Sequence, residues 1–113
     1  MMNGYDKAEA LAYIIPRIDP KGHKALAKQI EKLISQAIDA DMAFMHETNV
    51  IDADGNAGTN YYDDDEAFEY MVDVLQAQNK LTDEQAAQVA ALVDDYMDVQ
   101  QAFLEEKGLV DWE

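Results

Sequence analysis

The chain has 113 residues, of which 49% are hydrophobic, so it is long enough to bury one core and is predicted to form a single domain. It contains no cysteine, which excludes disulfides, thiolate catalysis and cysteine-ligated metal centres. Its 24 acidic and 8 basic residues give a net charge of −16, which disfavours direct binding to nucleic acid or anionic lipid and favours cations or a basic protein as partners.

The N-terminal segment lacks the basic-then-apolar order of a signal peptide, because Asp6 and Glu9 interrupt it. No apolar run in the sequence approaches the roughly 20 residues that a membrane-spanning helix needs. The sequence therefore predicts a cytoplasmic protein that does not contact a membrane.

The first predicted helix runs from about Asp6 to Ile15, and Pro16 ends or kinks it because the residue before a proline avoids the helical conformation. Asp19 is a favourable N-cap for a second helix, and Pro20 suits the first helical position. The short link between them predicts antiparallel packing of the two helices. The apolar positions of the first helix recur at helical spacing, at Ala8, Leu11, Ala12, Ile14 and Ile15.

The second predicted helix runs from Pro20 to about Glu47 and carries a wide apolar face, which suits a helix that touches two neighbours in a bundle. The lysines at 24, 28 and 32 lie on a different face, one turn apart, and are expected to face solvent. Two adjacent rows make up the apolar face: Leu26, Ile30, Leu33 and Ala37 in one, and Ile34, Ile38, Met42 and Met45 in the other.

The third predicted helix opens with Asp63–Glu66, whose carboxylates complement the dipole at a helix N-terminus, and it continues to about Asn79. Its core stripe consists of Phe68, Met71, Val72 and Leu75. The link to the next helix is so short that the two are expected to form an antiparallel hairpin.

The fourth predicted helix runs from Asp83 to about Lys107, and Gly108 is well placed to end it in a left-handed conformation. Thr82 and Gln85 carry the signature of a capping box at its start, in which each side chain binds the main-chain N–H of the other. Its core stripe consists of Val89, Leu92, Val93, Tyr96, Met97, Phe103 and Leu104.

These four helices predict an all-α protein, an up-down-up-down four-helix bundle that forms one helical domain over residues 1–113. One long connection, at about 48–62, separates the first helix pair from the second. After the fourth helix, the apolar residues Leu109, Val110 and Trp112 are predicted to fold back over the end of the bundle.

The long connection resembles the calcium-binding loop of an EF-hand over about a dozen residues. With Asp52 as the first position, the ligand positions of such a loop fall on Asp52, Asp54, Asn56, Gly58, Asn60 and Asp63. Side chains at alternate positions of a curled loop point inward at one hard cation, so the resemblance implies calcium as the bound ion. The sequence departs from the pattern at Ala57, Thr59 and Asp63, where glycine, an aliphatic residue and glutamate are usual.

The same connection also carries the signal of a β-hairpin, because an Asp54-Gly55 pair favours a tight turn. In this interpretation Val50–Ile51 and Tyr61–Tyr62 pair as two short strands, and Gly58 relieves a bulge. An irregular turn is the third interpretation of the connection, and all three leave its acidic residues exposed.

No pattern in the sequence predicts an enzyme or an organic cofactor. Carboxylate-bridged metal pairs in helical bundles need Glu-x-x-His motifs, and neither His23 nor His46 follows a glutamate by three residues. Ser35 lies within a predicted helix rather than on the sharp turn that a nucleophilic serine requires. A glycine-rich phosphate-binding loop is also absent from the sequence.

The function predicted from these patterns is that of a small acidic, non-enzymatic domain for protein–protein interaction or regulation, whose partner is a protein with a basic surface. One alternative is binding of a divalent cation, calcium, through the Asp52–Asp63 loop. A second alternative is imitation of nucleic-acid phosphates, in which an acidic face occupies the basic cleft of another protein.

Overall fold

Helices make up the regular structure that the computed structural model shows for residue 2 and residues 4–109, the residues that it describes. In chain order these are α1 (Lys7–Ile14), a 3₁₀ turn (Ile15–Arg17), a 3₁₀ segment (Pro20–Leu26), α2 (Ile30–Glu47), α3 (Asp64–Asn79) and α4 (Asp83–Glu106). The prediction of an all-α protein is confirmed, and the described residues contain no β-strand. The radius of gyration, 13.6 Å, matches the roughly 13 Å expected for a compact chain of this length.

The core lies between α2, α3 and α4, which pack against one another, while α1 packs against α2 and α4. Both apolar rows predicted for the second helix are buried. The stripe predicted for the first helix is confirmed at Ile14, which is buried, but is wrong at Ala8 and Ala12, which face solvent, because α1 turns Ala10 toward the core instead. The most completely buried large side chains are Ile14, Leu33, Ile34, Ile38, Met71, Leu75, Val89, Leu92, Val93 and Tyr96.

The second helix does not begin at Pro20 as predicted. Asp19 caps a 3₁₀ segment by accepting a hydrogen bond from the main-chain N–H of Lys21, but His23 leaves the helical conformation with φ −134° and ψ 47°. Its buried imidazole instead lies 2.5 Å from a carboxylate oxygen of Asp95 on α4, measured from Nε2 to Oδ2. The helical pattern is interrupted at the residue that makes this tertiary contact, and the α-helix proper begins only at Ile30.

The hairpin of α3 and α4 follows the predicted signals within one residue at each end. Asp63 accepts hydrogen bonds from the main-chain N–H groups of residues 65 and 66, so it caps α3. Lys80 adopts a left-handed conformation with φ 51° where α3 ends. The capping box of Thr82 and Gln85 is present, with hydrogen bonds of 3.0 Å and 3.2 Å, and Gly108 has φ 68° after the end of α4.

The connection between α2 and α3 contains one isolated antiparallel bridge, between Ile51 and Ala57, and the predicted pairing of 50–51 with 61–62 is wrong. The chain reverses earlier than the hairpin interpretation requires, because Oδ1 of Asp52 accepts hydrogen bonds from the main-chain N–H groups of Asp54 and Asn56. The returning chain then passes close to residues 49 and 50, where the N–H of Gly58 donates to the carbonyl of residue 50.

The end of α4 leads into Leu109, which packs against the core as predicted. Val110 and Trp112, for which the same packing is predicted, lie outside the described residues. Within the described part of the chain, none of the helices combines the length and apolar character needed to cross a membrane.

Candidate functional site

A buried carboxylate is the most unusual feature of the core. Asp41 lies in the middle of α2 and exposes only 2% of its surface, although an unpaired carboxylate is among the groups most costly to bury. The hydroxyl of Tyr62 donates a 2.7 Å hydrogen bond to its Oδ1, and the hydroxyl of Tyr96 donates a 2.8 Å hydrogen bond to its Oδ2. The carboxylate therefore joins α2 to the connection on one side and to α4 on the other.

Burial raises the pKa of Asp41 to about 6, although the hydrogen bonds from Tyr62 and Tyr96 lower it and the nearby carboxylate of Asp64 raises it further. Burial, and then the charge of Asp41, also raise the pKa of both phenols, so each tyrosine keeps its proton and acts as a donor. At neutral pH the core therefore contains a predominantly ionised carboxylate that is held by neutral groups.

Asp41 has no cationic partner among the described residues. The ion pairs found there join Lys7 to Asp39, His23 to Asp95 and Lys107 to Glu9, and none of them includes Asp41. The carboxylate is thus desolvated without a counter-charge. Such a group gains more from a cation than an exposed carboxylate does, because opposite charges attract more strongly at low dielectric constant.

A second polar group lies one helical turn beyond Tyr96. Gln100 exposes 3% of its surface, and its Oε1 accepts a 3.0 Å hydrogen bond from the hydroxyl of Tyr5. Within the part of the chain that the structure describes, its buried Nε2 has no hydrogen-bond partner, a state that costs about 1–3 kcal/mol for a typical donor. The side chain therefore carries one satisfied and one unsatisfied polar atom.

Asp41 and Gln100 both line a cleft of about 970 Å³, here called the Asp41 cleft, which lies against the connection, the start of α3 and one side of α4. This volume is at the upper end of the range found for ligand pockets, about 300–1,000 Å³. Asp41 and Gln100 are the buried polar residues that line this cleft. Its apolar walls include Met45, Val50, Ile51, Phe68, Met97 and Leu104, and the exposed aspartates Asp64, Asp65, Asp94 and Asp98 line it as well.

The residues predicted to bind calcium have different positions and roles in the structure. Asp52 and Asp54 form the tight turn already described, and Asn56 and Asn60 line the Asp41 cleft. The side-chain amide of Asn60 donates a 2.6 Å hydrogen bond to the carbonyl of residue 48.

Gly58 and Asp63 complete the predicted ligand set. Gly58 lies against the main chain of Asn49 and Val50, just after α2, and Asp63 caps α3. The part of the chain that the structure describes contains no group of three or more histidine, aspartate or glutamate side chains arranged to hold a metal ion.

Sequence analysis missed the polar core, although one signal for it was present. Asp41 follows Ala37 by four residues and therefore continues one of the two apolar rows of α2, where a carboxylate is out of place. Tyr96 lies in the predicted core stripe of α4, and a buried phenol needs a hydrogen-bond partner. Only the tertiary structure shows that these two anomalies satisfy each other.

Comparisons of this chain with protein-family models, with curated proteins and with solved structures give no match. No activity, ligand or partner is therefore carried over from a relative. What the protein does is inferred below from the geometry and the charge of the Asp41 cleft.

Proposed function

We propose that this protein is a non-enzymatic interaction domain that binds a basic, amphipathic helical segment of another protein in the Asp41 cleft. The observation that carries the proposal is the composition of the cleft, which combines apolar walls with four exposed aspartates. In the same proposal, residues 1–113 form one domain in which the four α-helices run up-down-up-down. The three-residue link between α3 and α4 and the mutual packing of α2, α3 and α4 support this arrangement.

One face of α4 supports a helical occupant. The residues of α4 that line the cleft recur at intervals of three and four: Ala90, Ala91, Asp94, Met97, Asp98, Gln100, Gln101 and Leu104. They therefore form a continuous strip along the helix axis, with small side chains at one end and larger apolar ones at the other. An amphipathic helix that lies along such a strip places its own apolar residues against it at the same spacing, which is the helix-in-groove mode of peptide recognition.

The charges around the cleft determine which helices fit. Asp64 and Asp65 line the cleft from the start of α3, and Asp94 and Asp98 line it from α4. These four carboxylates add to the negative field of a chain whose net charge is −16. Lysine or arginine residues that flank the apolar face of a partner helix meet these carboxylates, whereas an acidic helix is repelled. Complementary charge of this kind accelerates association and makes it sensitive to ionic strength.

The proposal is tested with a fluorescein-labelled model helix of about 18 residues, or five turns, with leucines on one face and lysines on the other. We expect saturable binding in an anisotropy titration, and we expect the affinity to fall as salt is added. The same peptide with glutamates in place of its lysines is not expected to bind.

Two charge-reversed variants localise the binding. Asp94→Lys with Asp98→Lys changes the cleft, and Glu69→Lys with Asp73→Lys makes the same change of charge at exposed positions of α3 that do not line it. The first variant should lose most of the affinity, and the second should retain it apart from the general effect of net charge. Equal losses in both variants, or no binding to the natural protein, would contradict the proposal.

The nucleic-acid mimic stays an alternative with a different test. Its partner would be a DNA-binding protein whose basic cleft also accepts DNA, so duplex DNA would compete for that partner. The mimic hypothesis therefore predicts competition by duplex DNA, whereas the helix hypothesis predicts binding of the model helix in the cleft. A DNA-binding protein that is released by duplex DNA, and bound equally well after Asp94 and Asp98 are reversed, would favour the mimic over the cleft.

A further inference from the structure

We infer that the buried end of the Asp41 cleft is a pocket for one arginine side chain of the bound segment, with Asp41 as its counter-ion. The inference rests on the proposed function, because it names the group of that segment that reaches the buried lining of the cleft. It goes beyond the four exposed aspartates of the cleft, which attract basic segments in general but do not select a particular residue within them.

The hydrogen-bonding capacity of Asp41 is the first observation. An ionised carboxylate offers about four acceptor positions, and the phenols of Tyr62 and Tyr96 occupy two of them, one on each oxygen. Asp41 lines the cleft, has no cationic partner in the described structure and is 2% exposed. A guanidinium group supplies both the positive charge and the additional N–H donors that this carboxylate lacks.

The amide of Gln100 is a second and independent observation. Its Nε2 is a buried donor without an acceptor among the described residues, and Gln100 lines the same cleft. An arginine side chain has donors only, so a carbonyl oxygen of the bound segment is the acceptor that completes the site. A protein segment provides both kinds of group at once, which a simple inorganic cation does not.

The apolar walls of the cleft suit the aliphatic part of an arginine. Met45, Met97 and Leu104 supply apolar surface along the cleft, and the three methylenes of an arginine can lie against such surface while its charged end continues inward. The exposed aspartates that line the cleft attract the cation first, and the buried carboxylate holds it afterwards.

Asp41 is already desolvated in the free protein, and this favours the pairing. Removing a carboxylate from water usually offsets much of the energy gained by a buried ion pair. Here folding has already removed Asp41 from water before the partner binds, so only the arginine loses its hydration on binding. Guanidinium is less strongly hydrated than ammonium, which is why arginine rather than lysine is the expected residue.

The first test uses two versions of the model helix, one with a single arginine at the centre of its apolar face and one with citrulline, its neutral isostere, at that position. The natural protein should bind the arginine peptide at least about tenfold more tightly, as close charge pairs in protein interfaces do. In Asp41→Asn this preference should disappear. Asp73→Asn, which removes one charge outside the cleft, should retain it.

The second test needs neither a variant nor a peptide. The natural protein is titrated with n-butylguanidinium and with n-butylurea, which has the same shape without the charge, and amide chemical shifts are followed by NMR. Saturable shifts of residues lining the Asp41 cleft with the guanidinium alone support the arginine pocket. Equal responses to both compounds, or to neither, overturn it.

The two tests separate the inference from the proposed function. If both peptides bind with the same affinity while reversal of Asp94 and Asp98 abolishes binding, the proposed function stands and the arginine pocket is wrong. If no peptide binds but the guanidinium compound does, the pocket stands and the helical partner is wrong. A third version of the model helix has lysine in place of the central arginine. If it binds as tightly as the arginine peptide, the choice of arginine is wrong.

Discussion

The hydroxyl of Tyr96 donates a 2.8 Å hydrogen bond to Oδ2 of Asp41, and this bond connects α4 to α2 through the interior of the protein. Both residues are almost completely buried, so solvent cannot replace either partner if the bond is broken. The pair therefore links the stability of the fold to the protonation of one carboxylate, and the same carboxylate lines the cleft to which we assign the function.

Replacement of Tyr96 by phenylalanine should destabilise the protein by about 1–3 kcal/mol at pH 7, because it leaves Oδ2 of Asp41 buried without its donor. The free energy of unfolding is measured by urea denaturation. Tyr61→Phe is the control, since that side chain is 98% exposed and should change the stability by less than about 0.5 kcal/mol. Similar effects of the two replacements would show that the buried hydrogen bond contributes little.

The stability should depend on the protonation of Asp41 between about pH 4 and pH 7. Burial raises the pKa of this carboxyl from 3.8 in the unfolded chain to about 6 in the fold, so the folded state binds the proton more tightly. Its contribution to stability therefore increases as the pH falls through 6, by up to about 3 kcal/mol for a shift of this size. Above pH 6 the contribution is lost, because the carboxyl must ionise inside the core.

The pH effect is isolated by comparing the natural protein with Asp41→Asn, since other acidic groups titrate in both. The groups that face Asp41 are Tyr62 from the connection, Tyr96 from α4 and the carboxylate of Asp64 from α3. Urea denaturation from pH 7.5 to pH 4.5 should show an additional gain in stability for the natural protein only. Parallel curves for both proteins would mean that Asp41 does not titrate in this range.

Gly58→Ala should distort the connection, because a Cβ atom at this position would lie 2.1 Å from the carbonyl oxygen of Asn49. The clash involves main chain on both sides, so we expect a loss of more than about 1 kcal/mol of stability. Gly22→Ala is the matched control, since a Cβ atom there meets nothing within 4 Å. That replacement should be neutral or stabilise the fold by less than about 1 kcal/mol. An unchanged unfolding curve for Gly58→Ala would show that the connection can shift freely.

Added monovalent salt should raise the melting temperature. The chain carries 24 acidic residues against 8 basic ones, so repulsion between carboxylates destabilises the compact state until salt screens it. The measurement is a thermal melt followed by circular dichroism at increasing sodium chloride concentration, with potassium chloride as a check that the effect is not specific to one ion. A melting temperature that stays constant or falls would mean that the charges are already well separated.

The calcium hypothesis predicts saturable heat when calcium is titrated into the protein, and that heat should persist in moderate salt. Asp52→Ala removes the first ligand position and also the acceptor of two main-chain hydrogen bonds in the turn, so it should abolish the heat. Asp73→Ala changes the charge equally outside the loop and should not affect it. If millimolar calcium produces neither heat nor a shift in melting temperature, the hypothesis is wrong.

Local sequence signals were sufficient for most of the helical framework. Three features of this framework each depend on only a few neighbouring residues: the capping box of Thr82 and Gln85, the cap at Asp63 and the left-handed Gly108. A short stretch of sequence is therefore enough to specify each of them. The periodic apolar rows of α2 likewise predict its buried face, because burial along a helix follows its repeat.

The rest of the fold depends on contacts between residues that are distant in the sequence. His23 leaves the helical conformation where its imidazole lies against Asp95, and no residue near His23 in the chain indicates that partner. The connection between α2 and α3 reverses at Asp52 and directs Tyr62 inward to Asp41, where the hairpin interpretation had placed it in a strand. A carboxylate in an apolar row is readable from sequence, but the two phenols that make its burial tolerable come from other elements of the fold.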